Sequence, residues 1–161
     1  MIRYEQLGAT EGARLRSIRL RALQDAPDAF GSTFEEALAR TPDVWNEQVM
    51  TLPTFVAVAD GRDLAMVRCA RHRTDVDTAW LLSMWVAPEA RRKGIGSELV
   101  DLIIGWAREN GIRRVFLDVA DLNAPAIALY DAKGFRATGK AGSMPPPREH
   151  IREHQRELRL V

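Results

Sequence analysis

The order of strand-like and helix-like segments predicts an α+β (mixed α/β) domain built on a single sheet. Three observations carry that prediction. Thr54–Ala59 and Ala65–Ala70 alternate with period two around Asp60-Gly61-Arg62-Asp63, a strong turn signal, and read as a hairpin. Thr78–Val86 is apolar on both faces, with Trp80, Leu82 and Met84 against Leu81 and Trp85, as in a strand covered on both sides. Ile95, Leu99, Leu102, Ile103 and Trp106 then recur at helical spacing, and Asn110-Gly111 supplies a stop.

The remaining elements follow in chain order. Ile2–Leu7 reads as a short strand. Leu15, Ile18, Arg19, Ala22 and Leu23 form a helical stripe whose other face carries Arg14, Arg16 and Arg21. Asp25–Gly31, with Pro27 in it, ends that helix. A second short helix starts at Thr41-Pro42-Asp43, where threonine caps and proline occupies the first turn. After the long helix, Val115, Leu117 and Val119 alternate as a strand. Asn123 caps a short helix with Pro125 in its first turn and Gly134 at its end. Phe135–Lys140 is strand-like. Gly142-Ser143-Met144-Pro145-Pro146-Pro147 is a loop, because proline removes donors and fixes the backbone. In the tail, Leu158 and Leu160 support a strand, whereas Ile151 and Leu158 support a helix. The order is β-α-α-β-β-β-α-β-α-β-β.

Composition narrows the function classes. The chain has 161 residues, 46% hydrophobic and 28% charged, which suits one domain spanning 1–161. Lys+Arg is 23 against Asp+Glu 22, so no charge excess draws the chain to nucleic acid. A lone cysteine, Cys69, excludes an intrachain disulfide and favours a cytoplasmic protein with a buried, inert thiol. The start of the sequence lacks the apolar core of a signal peptide, and Asp101 interrupts the longest apolar stretch, so no membrane association is expected. His150 and His154 have no third ligand nearby, and no metal is expected.

Residues 82–97 carry the chemistry. A buried strand and Pro88 lead into Arg91-Arg92-Lys93-Gly94-Ile95-Gly96-Ser97, which runs straight into the amphipathic helix. Without Cβ atoms, Gly94 and Gly96 permit a sharp turn and a close approach by a ligand. Several amides can then converge at the helix N-terminus, where orphan donors and the helix dipole favour an anion. A diphosphate fits that description. The spacing is not G-x-x-x-x-G-K-[ST], and Leu99 stands where a third glycine of G-x-G-x-x-G belongs, so neither a P-loop nor a dinucleotide Rossmann site is supported. For a lone G-x-G, an ordinary strand-to-helix turn is the competing reading.

A second segment decides between them. Leu82–Val86 followed by Arg91-Arg92-Lys93-Gly94-Ile95-Gly96 resembles the R/Q-x-x-G-x-G/A acetyl-CoA signature of the GNAT N-acyltransferase superfamily. Asn123 through Phe135 is similar to that family's N-x-x-A-x-x-x-Y-x-x-x-G-F element, and the two stand in family order. The resemblance implies the GNAT fold: a mostly antiparallel central sheet with helices on both faces, splayed between the strands ending at Val86 and Val119. It implies that acetyl-CoA inserts there, with Met84, Trp85 and Val86 along its pantetheine arm and Arg91, Arg92, Lys93, Gly94, Ile95, Gly96 and Ser97 around its diphosphate. Asn123 and Tyr130 would lie by the thioester as the catalytic pair, with Lys133 reaching toward the nucleotide.

The implied reaction is acetyl transfer to a primary amine, of a small molecule or a peptide, by direct attack in a ternary complex. Tyr130, protonated at neutral pH, would face the departing sulfur. Many family members carry a glutamate on the central strand, but no carboxylate occurs from Thr78 to Ala87. Asp118, Asp121, Glu35, Glu36 or a water chain are the alternatives for the base. The missing carboxylate also keeps a non-catalytic acyl-CoA-binding module as the rival reading. On the acceptor side the resemblance points to Phe30, Gly31, Ser32, Phe34, Trp45 and the proline loop. A homodimer could form by pairing of the charged last strand, through Leu158 and Leu160.

Overall fold

The structure, a computed structural model, describes residues 1–160. Seven strands form one sheet in the order β1-β2-β3-β4-β5-β7-β6. They are β1 (Arg3–Gln6), β2 (Thr54–Ala59), β3 (Arg62–Arg71), β4 (Thr78–Val86), β5 (Arg114–Ala120), β6 (Arg136–Ser143) and β7 (Arg152–Arg159). Helices α1 (Gly12–Asp25), α2 (Phe34–Leu38) and α3 (Pro42–Thr51) precede the hairpin, α4 (Ile95–Glu109) links β4 to β5, and α5 (Ala124–Ala132) follows β5. Every strand pair is antiparallel except β4–β5. The expected α+β sheet with helices on both faces is what the chain forms.

Local chemistry explains the elements. Asp60 and Gly61 both take positive φ (52° and 73°), which a two-residue hairpin turn requires. The hydroxyl of Thr41 accepts from the Val44 amide, and Pro42 opens α3 as expected. The short helix α2 is an element that the periodicity does not mark. Thr33 and Glu36 make a reciprocal capping box there, and the spacing Thr33-x-x-Glu36 was the available signal. Gly12 lets α1 lie against α3, since a Cβ there would sit 2.2 Å from Asn46 Oδ1.

The tail resolves as strand β7, and its position excludes the expected route to a dimer through the last strand. β7 lies between β5 and β6, so both of its edges are paired, and the sheet's open edges are β1 and β6. Leu158 and Leu160 therefore cannot carry strand pairing to a second copy. His154 is tied instead to Asp121, 2.8 Å from its Nδ1. Cys69 is fully buried, and burial pushes its thiol up to about 12, which keeps it protonated and inert. Among the described residues no helix is long and apolar enough to cross a membrane.

Candidate active site

The site opens where two parallel strands part. β4 and β5 pair only from Thr78↔Arg114 to Trp80↔Phe116, yet β4 continues to Val86 and β5 to Ala120. The unpaired lengths diverge around a cavity of about 560 Å³. Its walls come from β4 (Trp80 to Met84), β5 (Leu117 to Ala120), α5 and its cap (Asn123, Ala126, Tyr130), the segments 29–32 and 143–145, and single residues of α1, β3 and β7.

A bulge shapes β4 along this gap. Met66 pairs with Trp85 and Arg68 with Leu82, so two residues, Ser83 and Met84, oppose the single Val67. Ser83 carries the cost in a positive φ of 59°. Its hydroxyl accepts a hydrogen bond from Arg68 Nε at 2.9 Å, which holds the distorted position. Past the bulge, the Ala87 amide donates to Leu64 on β3. Because consecutive amides on a strand face opposite edges, the Val86 amide faces the open gap. The Val86 carbonyl on that edge already accepts from Arg91 Nε at 3.0 Å.

The turn into α4 is built from backbone. Arg92 and Gly94 both take left-handed φ (65° and 77°), and Gly94 stands at the N-cap with no side-chain cap. From Arg92 through Ser97 no amide donates a hydrogen bond to a described residue; the first that does is Glu98, to the Gly94 carbonyl. Six consecutive free donors at the positive end of a fifteen-residue helix form a cradle for an anion. A Cβ on Gly94 would meet nothing within 4 Å, so the space in front of the turn is open.

The basic residues of the turn divide. Arg91 pairs with Asp25 at the end of α1 (2.6 Å), and the same carboxylate accepts from the indole of the buried Trp85 at 2.9 Å. Arg91 and Trp85 thus lock β4 to α1. Arg92 and Lys93 are exposed and make no ion pair with a described residue. Ile95, the first residue of α4, is buried, and Ser97 is half-buried. Gly96 plays a packing part, because a Cβ there would press on Leu129 of α5 at 3.3 Å. Lys133 bonds Asp101 of α4 at 2.8 Å.

At the cavity itself the structure brings together Met84, Asn123, Tyr130, Phe30, Gly31 and Ser32. Asn123 also caps α5, its Oδ1 accepting from the Ala126 amide. Tyr130 is 5% exposed, and its hydroxyl has no hydrogen-bond partner among the described residues. Burial pushes that phenol up to about 12. Phe34 and Trp45 do not line the cavity: Phe34 packs on the core edge, and Trp45 is fully buried in it.

The candidate bases separate as well. Glu36 is spent in the α2 capping box, Asp121 faces His154, and neither they nor Glu35 line the cavity. Asp118 does. Glu153 joins it from β7, in the segment whose strand character the sequence left open. Asp118 pairs with Gln155 and Ala120 with Glu153, so both carboxylates rise from one face. Asp118 is exposed and Glu153 half-buried; partial loss of water on the cavity side raises both above their ordinary values, and the Asp118 charge raises Glu153 further. Arg19, which the sequence places on the apolar stripe of α1, and Arg68, which no motif marks, also line the cavity. A charge at a core position of the α1 stripe was the signal for Arg19.

Comparison with known proteins agrees with this geometry. The Acetyltransferase (GNAT) family matches residues 19–135, well over half of the chain. A mycothiol acetyltransferase of Thermomonospora curvata is 30% identical over 148 residues, covering 91% of this chain and 48% of its own. The chain spans about half the length of the curated relatives it matches. Among solved structures, a GNAT-family acetyltransferase from Streptococcus pneumoniae superposes with a TM-score of 0.85 at 18% identity, over 100% of both chains. A putative acetyltransferase from Salmonella typhimurium, solved with its cofactor acetyl-CoA, does so with 0.80 at 19% identity, over 100% of this chain and 95% of its own. At these identities the superpositions speak for the fold.

Proposed function

The chain belongs to the GNAT acetyltransferase family, and from that premise we propose that it is an acetyl-CoA-dependent N-acetyltransferase acting on a primary amine. The observation that carries this reading is the run of free amides from Arg92 to Ser97 beside the gap between β4 and β5. The fit to coenzyme A is one of chemistry. A diphosphate needs many donors and open space, and the turn at Gly94 has both. A pantetheine arm needs an unpaired strand edge, which β4 has beyond Trp80.

Bound acetyl-CoA supplies an acetyl group activated as a thioester. The amides of Arg92–Ser97, with Arg92 and Lys93, would hold its phosphates, and the open edge of β4 would hold its arm. Arg91 acts indirectly, keeping the end of β4 in place through Asp25. The Val86 amide, facing the gap, is positioned to stabilise negative charge growing on the carbonyl oxygen. The amine nitrogen forms a bond to the acetyl carbon as the carbon–sulfur bond breaks. One amine proton passes to the Asp118–Glu153 pair or to water, and one proton ends on the sulfur, so the products are the amide and free thiol. Alignment of the two reactants supplies much of the rate, up to about 7–11 kcal/mol at the limit.

Tyr130 has a narrower role than full proton donor. Its phenol at about 12 stands well above an ordinary thiol at about 8.5. Complete transfer to the thiolate would run uphill by about 5 kcal/mol at 1.36 kcal/mol per unit. A hydrogen bond from the Tyr130 hydroxyl to the sulfur, without transfer, lowers the leaving barrier at no such cost. Tyr130→Phe should therefore keep acetyl-CoA affinity within about twofold by calorimetry and lower kcat by at least about tenfold, the loss of one such bond. Unchanged turnover removes Tyr130 from the reaction.

The proposal as a whole is tested by titrating acetyl-CoA calorimetrically and then following thiol release with a panel of amines. Binding with turnover supports the enzyme. Binding with no turnover on any amine supports an acyl-CoA-binding module.

A further inference from the structure

Two arginines line the cavity, and neither has a counter-ion among the described residues. Arg19 occupies a position on the apolar stripe of α1 and is only 4% exposed. Its Nε and Nη1 are buried without a hydrogen-bond partner among the described residues, and its guanidinium lies over the Phe30 ring, 4.6 Å from the centroid. Arg68 is 6% exposed on β3, where Ser83 Oγ and Gln48 Oε1, each at 2.9 Å, orient its fork. Both contacts are neutral. A third cation, Arg40, stands close enough to act on both, and it bonds only the Ser32 hydroxyl at 3.4 Å while stacking on Trp45.

Burial, with the like charges beside them, pulls Arg19 down to about 9 and Arg68 to about 10, so both still carry charge at neutral pH. Unpaired buried cations are among the costliest features a fold can hold. The other two buried arginines are met by carboxylate or carbonyl oxygens, though each keeps a buried Nε without a partner among the described residues. Arg156 meets Asp131 and the Phe135 carbonyl, and Arg148 meets the carbonyls of Pro27, Phe30 and Gly31. Arg19 and Arg68 differ from these in lining the cavity, where an incoming anion can complete them. The guanidinium fork matches a carboxylate in shape as well as charge.

Asp118 and Glu153 line the same cavity from β5 and β7, on the far side of β4 from Arg68 on β3. One side is therefore cationic and the other acidic. We infer that the acetyl acceptor is a small amine that also carries a carboxylate, held with its acid group on Arg19 and Arg68 and its amine toward Asp118 and Glu153. The inference rests on the N-acetyltransferase reading above and adds the class of acceptor to it. Such a site rejects the corresponding amide or decarboxylated amine, because either would leave the buried cations bare.

The test is thiol release from acetyl-CoA with the free L-amino acids and a series of ω-amino carboxylates, each beside its carboxamide and its decarboxylated amine. At least one free acid should exceed its carboxamide in kcat/KM by about a hundredfold or more. In Arg19→Met and Arg68→Met that preference should collapse to below about fivefold, while acetyl-CoA still titrates. A further readout separates a binding role from a structural one. Arg19→Met should leave the melting temperature of the unliganded protein unchanged or raise it, since it removes a bare charge and keeps the packing. The inference is overturned if carboxamides or simple amines are acetylated as well as the acids. It is equally overturned if no acid is acetylated while acetyl-CoA binds, or if Arg19→Met melts lower with the preference intact. Absence of acetyl-CoA binding in the wild type would instead sink the underlying enzyme reading.

Discussion

Gly94→Val should weaken acetyl-CoA binding by about a hundredfold, equivalent to 2.8 kcal/mol at 1.4 kcal/mol per tenfold, and leave the protein folded. Two effects combine at this position. Gly94 sits at φ 77°, which a β-branched residue adopts only with strain. Its Cβ would also project into the open space that the free amides face. Nothing in the protein clashes with that Cβ, so the damage falls on the ligand and on the shape of the turn. Gly96 is a poorer probe, because its Cβ would press on Leu129 and disturb the packing of α5. Gly105 offers the control. It lies inside α4 with open space around it, and Gly105→Ala should leave affinity unchanged while slightly stabilising the helix. Equal affinity in Gly94→Val and wild type, measured by calorimetry, would place the diphosphate elsewhere.

Glu153→Gln should lower kcat by about a hundredfold, near the small end of what a general base contributes. The basis is that Glu153 and Asp118 share a sheet face in the cavity, and partial desolvation raises each carboxyl. Wild-type activity should fall as pH drops through that raised range, when the pair takes up a proton and can no longer accept one. Because the two carboxylates interact, the limb belongs to the pair. It should vanish in Glu153→Gln combined with Asp118→Asn. Stability moves the other way. A carboxyl raised on folding contributes stability below its unfolded value, and that contribution is lost as pH rises through the folded value. Glu153→Gln should accordingly melt higher than wild type at pH 7–8 and show no such gain near pH 4. Undiminished kcat in both single variants and in the double would leave proton removal to water.

Much of this protein is legible in its sequence, for identifiable reasons. β2 and β4 run over the residues that alternation and two-sided apolarity mark, since these patterns answer directly to burial. The stop at Asn110-Gly111 and the cap at Asn123 are local backbone chemistry, readable without tertiary context. The tail was ambiguous because β7 lies inside the sheet yet carries mostly charged residues, whose partners come from distant segments: Arg156 to Asp131, His154 to Asp121. α2 escaped because five residues are too few to show a period, and only its capping box betrays it. Of the site, the turn 91–97 could be found because glycines and helix start are adjacent in sequence. The fate of Arg91 could not, because Asp25 lies 66 residues away. Neither could the cation pair of Arg19 and Arg68 or the acid pair, each assembled from elements remote in the chain.

The function we propose stands on the backbone amides of the Arg92–Ser97 turn gripping the phosphates of coenzyme A beside the parted strands. Its most direct test is a two-dimensional ¹⁵N NMR titration of the wild-type protein with acetyl-CoA, read at each backbone amide. The resonances of Arg92 to Ser97 and of Val86 should move together and saturate at one equivalent, while those of β1 and the β2–β3 turn stay in place. Saturation with the Arg92–Ser97 amides unmoved and a different surface perturbed would contradict the claim.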